Sequence, residues 1–525
     1  MFFALLAALP AALPLATTAA PEAGARLAFT QSLLSELRDV GLPAALDWIR
    51  KYKVPDFHTD KSSFDITVSD VELSNVDASA AITLVGADSV QLTLSNLKLG
   101  ISGHVHVRED IWPHPSVSGS LSANGDGSAA TVSLSFALDP QRTPSAKLDK
   151  CDANIDINDI KFHGLSILDP IIDWVIGFFK GKIRDGVRDM ICDTGVADTL
   201  VKQMINPFLA GLTYTVPFTF LQPPFDASQL DWHLIAPPRV VADENATTFM
   251  ATDVLAEVFT RSGQHSNRSI APMADPTRSD LRMLTVELSE YPLNTALWSF
   301  WTQGQLSVTV TPEMLTPATR GLLNTAFFRL LMPKLYNAFP NHNMTLLVRA
   351  APAPIGPCPN VTIRAGKVKL WAHVDLLFQV LPGSGAAPVD AFSLWDPFEG
   401  AVELDAVTPQ LGPPRLTGKI DSVDLDLHPG VSHYGELVPA LIALLFDPLN
   451  TVINSVVLPL ANAILSVGFP LPSVSATLAG YVLTVNVTNP IIDMTGGDFA
   501  LVGTNVKVTL APVGGPRAVA RPNSK

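Results

Sequence analysis

Cysteine is scarce in this chain: Cys151, Cys192 and Cys358 are the only three in 525 residues. Three are too few for a disulfide scaffold or a zinc cluster, and in a secreted chain they allow one pair and one leftover. Charge is scarce as well. Only 16% of residues are Asp, Glu, Lys or Arg, and the acidic ones outnumber the basic by 49 to 35. A net charge of −14 with no dominant basic patch excludes a nucleic-acid partner. Catalytic signatures are missing too. The chain has no Gly-x-Ser-x-Gly elbow, no His-Glu-x-x-His and no phosphate loop, so a secreted lipase-like enzyme would lack its nucleophile motif. It also lacks a clean run of 18 apolar residues. The nearest stretch, 437–469, contains Asp447, Asn450, Asn454, Asn462 and three prolines, so no transmembrane span is expected.

What the chain has in excess is apolar surface. Hydrophobic residues make up 47%, and mean hydropathy is +0.28. Such an excess needs a membrane, a large core or an apolar ligand cavity. The first residues, "MFFALLAALPAALPLATTAA", are apolar and then small, with a fitting cleavage site near Ala19 or Ala20. This reads as a signal peptide rather than an anchor, because the run is short and broken by Pro10 and Pro14. Five Asn-x-Ser/Thr triplets, at Asn245, Asn267, Asn343, Asn360 and Asn486, fit an extracellular glycoprotein.

Hydrophobic spacing divides the chain. From about Leu27 to Trp48, Phe29, Leu33, Leu37, Val40, Ala44 and Trp48 recur at helical intervals, with Gly41 and Pro43 expected to bend that helix. From Ser63 to Ile160 the period becomes two, as in "FDITVSDVEL" and "ATVSLSFALD", with turns expected at Asn124-Gly125 and Asp126-Gly127. This predicts an antiparallel meander with one wet face and one apolar face. The stretch 171–193, "IIDWVIGFFKGKIRDGVRDMICD", returns to helical spacing, and that helix is expected to run on towards Leu212. A Pro-rich segment, 216–240, reads as an extended linker. The second half then repeats the plan loosely: strand-like "MLTVELSEY", helical "NTALWSFWTQG", alternating strands, and a long apolar helix from Gly435 to about Val467.

The order of these segments resembles the family of bactericidal/permeability-increasing, lipopolysaccharide-binding, phospholipid transfer and cholesteryl ester transfer proteins. The resemblance rests on "KYKVPDF", "WVIGFFKGKIRDGVRDMICDTGVADTLVKQMINPFL", "LIAPP", "LSEYPLNTALWSF" and "VLPLANAILSVGFPLP", in that sequence over nearly the whole mature chain. It implies an α+β fold: an elongated two-barrel boomerang, each barrel a highly twisted antiparallel sheet wrapped around long helices, joined by a central sheet. The expected division is a signal peptide at 1–20 and an N-terminal lipid-binding barrel at 21–215. A linker with central-sheet strands follows at 216–280, then a C-terminal lipid-binding barrel at 281–475. Strands returning to the central sheet are expected at 476–510, and a disordered tail at 511–525. The resemblance also implies apolar tunnels for acyl chains and a disulfide between Cys151 and Cys192, leaving Cys358 free. Closing that loop is worth about 4 kcal/mol in the chain-entropy model.

On this reading the residues facing lipid in the first tunnel are Leu33, Leu37, Val40, Ile172, Ile176, Phe179 and Ile183, chosen by helical face. The expected ligand is phospholipid or a neutral lipid, with no cofactor, no metal and no catalytic group. A transient membrane or lipid-particle surface is the expected partner. The antimicrobial relatives bind lipid phosphates through a basic N-terminal barrel tip, whereas residues 21–215 here carry 17 Lys/Arg against 25 Asp/Glu. That balance favours lipid binding and transfer over innate-defence recognition of an envelope lipid such as lipopolysaccharide. His104 and His106 share a strand face, and with His114 or Asp110 they offer metal-ligand chemistry, but a solvated face is the better reading. Asp156 and Asp159 read as surface charge. Trp298, Phe300 and Trp301 fit either core or a lipid mouth. Finally, residues 448–492 contain no charged side chain. Asn450, Thr451, Asn454, Ser455 and Asn462 are expected to form a weakly polar outer face suited to a membrane or a dimer contact. On that expectation lysine at Asn454 and Asn462 leaves stability nearly unchanged.

Overall fold

The computed structural model describes residues 22–513 except 52–55, 62–63, 87, 111–112, 165–171, 193–196, 199–200, 220, 222, 243–247, 271, 274–281, 365–366, 384, 410–413, 472–473, 479–480 and 495–498. The expected signal peptide and most of the tail lie outside the described residues. So does the triplet at Asn245.

Two curled antiparallel sheets are joined by a third. The N-terminal sheet runs 57–61, 64–85, 89–109, 116–138 and 144–154 in spatial order, with 157–163 also paired to 116–138. Three of its strands exceed 20 residues. They stay regular because apolar side chains alternate with Ser, Thr and Gly, which fit a pleated surface buried on one face. They curl because their register slips repeatedly, between Ser69 and Glu72, Ser74 and Asp77, and Leu94 and Leu97. Asp70, Asn75 and Asn96 stand at those slips with φ near +50°. Asp and Asn tolerate that left-handed conformation better than other side-chain-bearing residues, and each bulge adds twist. The expected turns at Asn124-Gly125 and Asp126-Gly127 do not form. Both lie inside the single strand Ser116–Leu138, whose register shifts at Asn124/Gly125. Neighbours on both sides keep that segment in the sheet, and Gly127 absorbs the kink with φ +80°.

The central sheet has the order 239–242, 248–254, 25–30, 284–288, 500–512, 481–493 and 474–478. It draws strands from both ends and from the middle of the chain. Leu27 and Phe29, expected to open the first helix, belong instead to its strand Ala25–Thr30. That strand is paired on both sides, with 248–254 and 284–288, so tertiary pairing overrides the helical spacing. The helix follows at Gln31–Lys51 and includes Pro43. The Pro-rich linker also holds more structure than expected. Tyr214–Pro217 and Ser228–Trp232 join Glu257–Thr260 in a small three-stranded sheet.

The C-terminal sheet has eight strands. Side chains of its longest pair, Lys367–Val380 and Val389–Val407, share a core with the helical run Pro439–Val467, whose last part packs on Arg415–Ile420. That run is long and apolar enough to cross a membrane by length and composition. Its row Leu441, Leu445, Leu449 and Val452 is nevertheless buried against the sheet, as in a core helix. A π-helical turn, Ile453–Val457, separates its two α-helical parts.

Candidate functional site

Each half encloses an apolar interior built from a helix laid into a curled sheet. In the N-terminal half, helix Ile172–Cys192 buries Phe179, Ile183, Val187 and Ile191 in one row at intervals of four. They meet Leu46 and Ile49 of the first helix and Ile66, Val68, Leu121 and Ile157 of the sheet. Phe162 lies 5.6 Å from Phe179, ring centre to ring centre. Lys180, Lys182, Arg184 and Arg188 face outward on the same helix, where Asp185 and Asp189 pair with Arg184 and Arg188. The helix ends at Cys192, short of Leu212; a separate helical stretch covers Val201–Ala210.

The residues chosen from helical faces do not line a single surface. Leu33, Leu37 and Val40 pack at the end nearest the central sheet, with Val90, Val132, Leu134, Leu483 and Val508. Phe179 and Ile183 belong to a second cluster farther out along the barrel. Ile176 is half-buried, and the side chain of Ile172 lies outside the described residues. Cys151 touches both clusters and is bonded to Cys192, so the disulfide pins the end of the helix where the two meet. The helical pattern alone could not separate the clusters, because the first helix spans both. Leu33 and Leu46 sit on it 13 residues, or about 20 Å, apart.

In the C-terminal half, three rings form the centre. Phe378 stacks on Phe392 at 4.5 Å, and Phe328 meets the two edge-on at 5.9 and 5.2 Å. All three are fully buried beside Leu441 and Leu445. Sequence reasoning missed this cluster because Phe328, Phe378 and Phe392 come from three separate elements and share no period.

Trp298, Phe300 and Trp301 sit on helix Glu290–Thr302. The indole N–H of Trp301 donates to the Ala351 carbonyl at 2.8 Å, and Phe300 packs on Phe218 and Phe225 beside the small sheet. Cys358 is half-buried and bears no disulfide. Burial pushes its thiol up, against the opposing pull of Arg268, whose Nη2 lies 3.4 Å from the sulfur. Asp156 and Asp159 are exposed, as are His104, His106 and His114. Among the described residues no group of three His, Cys, Asp or Glu side chains is placed to hold a metal.

Four of the glycosylation triplets are described. Asn267, Asn343 and Asn486 are exposed, whereas Asn360 is half-buried and its Oδ1 accepts from Arg268 Nη1 at 2.7 Å. Glycopeptide mapping after expression through a secretory pathway is expected to find sugar on the first three and an unmodified Asn360. A glycan on Asn360 would show that the Arg268 contact does not shield it.

The sequence profile of the LBP / BPI / CETP family C-terminal domain matches residues 226–488, half of the chain. The chain belongs to this family. It is 24% identical over 448 residues to the bactericidal permeability-increasing protein of Rattus norvegicus, covering 84% of each chain. It is 23% identical over 470 residues to the lipopolysaccharide-binding protein of Bos taurus, covering 87% of this chain and 88% of that one. A crystal structure of lipopolysaccharide binding protein superposes with a TM-score of 0.52 at 20% identity, over 93% of this chain and 99% of that one. At that identity the superposition speaks for the fold: the family's two curled sheets and linking sheet are those described above.

Proposed function

We propose that this protein is a secreted lipid-binding and lipid-transfer protein that holds the acyl chains of a phospholipid or neutral lipid in its two apolar interiors. One observation carries the reading. Each half lays the apolar face of a long helix against the inner face of a curled sheet, and among the described residues no charged side chain lies in the rows that meet there. Acyl chains need only such a surface, since each buried CH₂ contributes roughly 0.8 kcal/mol. No catalytic group takes part in this mechanism. The relatives' names favour a second reading, recognition of an envelope lipid such as lipopolysaccharide. The excess of carboxylates over 21–215 weighs against it.

Organic extraction of the native protein, followed by mass spectrometry, is expected to release up to two lipid molecules per chain. Ile176→Asp is the suitable variant, because Ile176 is half-buried and Phe179 is an integral part of the packed row. It should reduce the yield by about half, since a carboxylate on a lipid-bearing wall is costly to bury. An unchanged yield from folded Ile176→Asp protein would remove this face from the lipid site. Selective capture of lipopolysaccharide at physiological salt would favour the second reading.

A further inference from the structure

The residues before position 216 include five histidines, at 58, 104, 106, 114 and 163, and four of them meet on the outer face of the N-terminal sheet. The strand register places them in two adjacent cross-strand rows. One row reads His58, Thr67, His106, Ser118. The next reads Ser69, His104, Ser120, His163. His104 and His106 are two residues apart on one strand, about 7 Å, and His58 and His163 each stand two strands away, about 10 Å. All four are exposed, and the residues between them are small hydroxyl-bearing ones. The result is a polar patch on which four imidazoles are spaced by hydroxyl groups. It lies at the end of the barrel away from the central sheet. Val105, Val107 and Leu121, on the inner side of the same strands, pack with Leu46 and Ile49 at the far end of the first helix.

We infer that this face docks the protein, on acidification, onto a membrane or lipid-particle surface bearing anionic phospholipid headgroups. The charged groups around the grid set the switch. Arg108 and Lys161 share the face, as do the carboxylates of Asp65, Glu72 and Asp159, with Asp56 and the bulged Asp70 at its margin. Glu109, Asp110 and His114 stand at the hairpin turn beyond. With neutral imidazoles, carboxylates outnumber cations and the face repels an anionic surface. Histidine is the side chain that gains its charge just below neutral pH, and four protonated imidazoles reverse the balance over the grid and its margin. Polar groups already lie beside three of the rings. Asp65 Oδ1 lies 3.1 Å from His58 Nδ1, and Asp70 Oδ2 lies 3.7 Å from His104 Nδ1. Ser118 Oγ lies 2.9 Å from His106 Nδ1. The hydroxyls between the cations can donate to phosphate.

Co-sedimentation of the full chain with phosphatidylcholine vesicles, with and without phosphatidylserine, tests this at about pH 7.5 and about pH 5.5, either side of the histidine range. Partition onto the serine-lipid vesicles is expected to rise ~tenfold or more on acidification, at low salt, with little change on phosphatidylcholine alone. The variant carrying His58→Gln, His104→Gln, His106→Gln and His163→Gln together should lose that rise. All four side chains are exposed, so its melting temperature should stay close to that of the parent. Full acid-dependent binding by this variant would overturn the inference. So would equal binding to neutral vesicles, or binding abolished by a chelator, which would mean a metal bridge. Lipid extracted from the same preparations reports separately on cargo: an unchanged yield with no acid-driven docking refutes the docking face and leaves the cargo reading intact.

Discussion

Arg26→Met is expected to destabilise the protein by about 3–5 kcal/mol, the usual effect of stripping one partner from a buried ion network. Arg26 is fully buried in the third strand of the central sheet. Its register partners are Asp253 on one side and Glu287 on the other, so the three side chains cross three adjacent strands in line. Arg26 Nε donates to Asp253 Oδ1 at 2.7 Å, and Nη1 lies 3.8 Å from Glu287 Oε2. Nη2 donates to the Met273 carbonyl at 2.9 Å, and Arg239 reaches Asp253 from the surface. Methionine would fill much of the space and leave two carboxylates facing each other in a site closed to water. Urea unfolding followed by tryptophan fluorescence measures the loss. A loss under about 1 kcal/mol, the scale of a surface pair, would mean that the carboxylates find other compensation. Adding Asp253→Leu and Glu287→Leu should restore most of the stability, because an apolar replacement of a whole buried network is often neutral or better. What the apolar version would lose is register. A one-residue slip of strand 25–30 would put Arg26 opposite Asp253's neighbours and turn its side chain to the other face.

The same strand shows where sequence reading stops. Helical spacing predicted the first helix and the row of 172–192, because amphipathic periodicity comes directly from one-sided burial, whereas the helix at 439–467 was expected from its long apolar run and its faces were misread. It could not detect that Leu27 and Phe29 leave that helix for a strand, since the partners lie more than 200 residues away, at 248–254 and 284–288. Alternation likewise predicted the long sheet but misplaced its turns. Asn-Gly and Asp-Gly signal a hairpin only when the flanking strands are free to fold back, and here both flanks are already paired. A usable signal for the curl was present and unread. Asp70, Asn75 and Asn96 interrupt otherwise alternating runs, and each marks a bulge. For the lipid-facing residues, the limit was depth along the barrel. A helical wheel gives the direction in which a side chain points, and it placed Leu33 and Ile183 together although they belong to different clusters. The histidine rows needed cross-strand register, which adjacent positions in sequence do not contain.

The largest reversal concerns Asn454 and Asn462. Both were expected on a solvated outer face of the long helix, where lysine would be tolerated. Both instead turn inward to an extended segment, 420–427, in which Val423, Leu425 and Leu427 are buried and Asp421, Asp424 and Asp426 are exposed. Asn454 accepts from Val423 N–H at 3.0 Å and donates to Val423 C=O at 2.8 Å. Asn462 does the same to Ile420, at 2.9 and 2.8 Å. Each carboxamide thus stands in for a neighbouring strand, and Asp396 accepts the N–H of Asp426 farther along. In an unbroken α-helix, residues eight apart point about 80° away from each other. The π turn at Ile453–Val457 takes up about one residue and brings the two asparagines into line. Asn454→Leu and Asn462→Leu should therefore each cost about 2–4 kcal/mol, because each leaves a buried N–H and C=O without partners. The Asn→Lys changes should be no milder. Ser455→Lys is the control: Ser455 is exposed and its hydroxyl only returns to the Thr451 carbonyl of its own helix, so the change should stay within about 0.5 kcal/mol. Denaturant midpoints of the three variants decide the matter. If Asn454→Leu and Ser455→Lys unfold alike, the carboxamides do not hold the segment, and the outer-face reading of this helix returns.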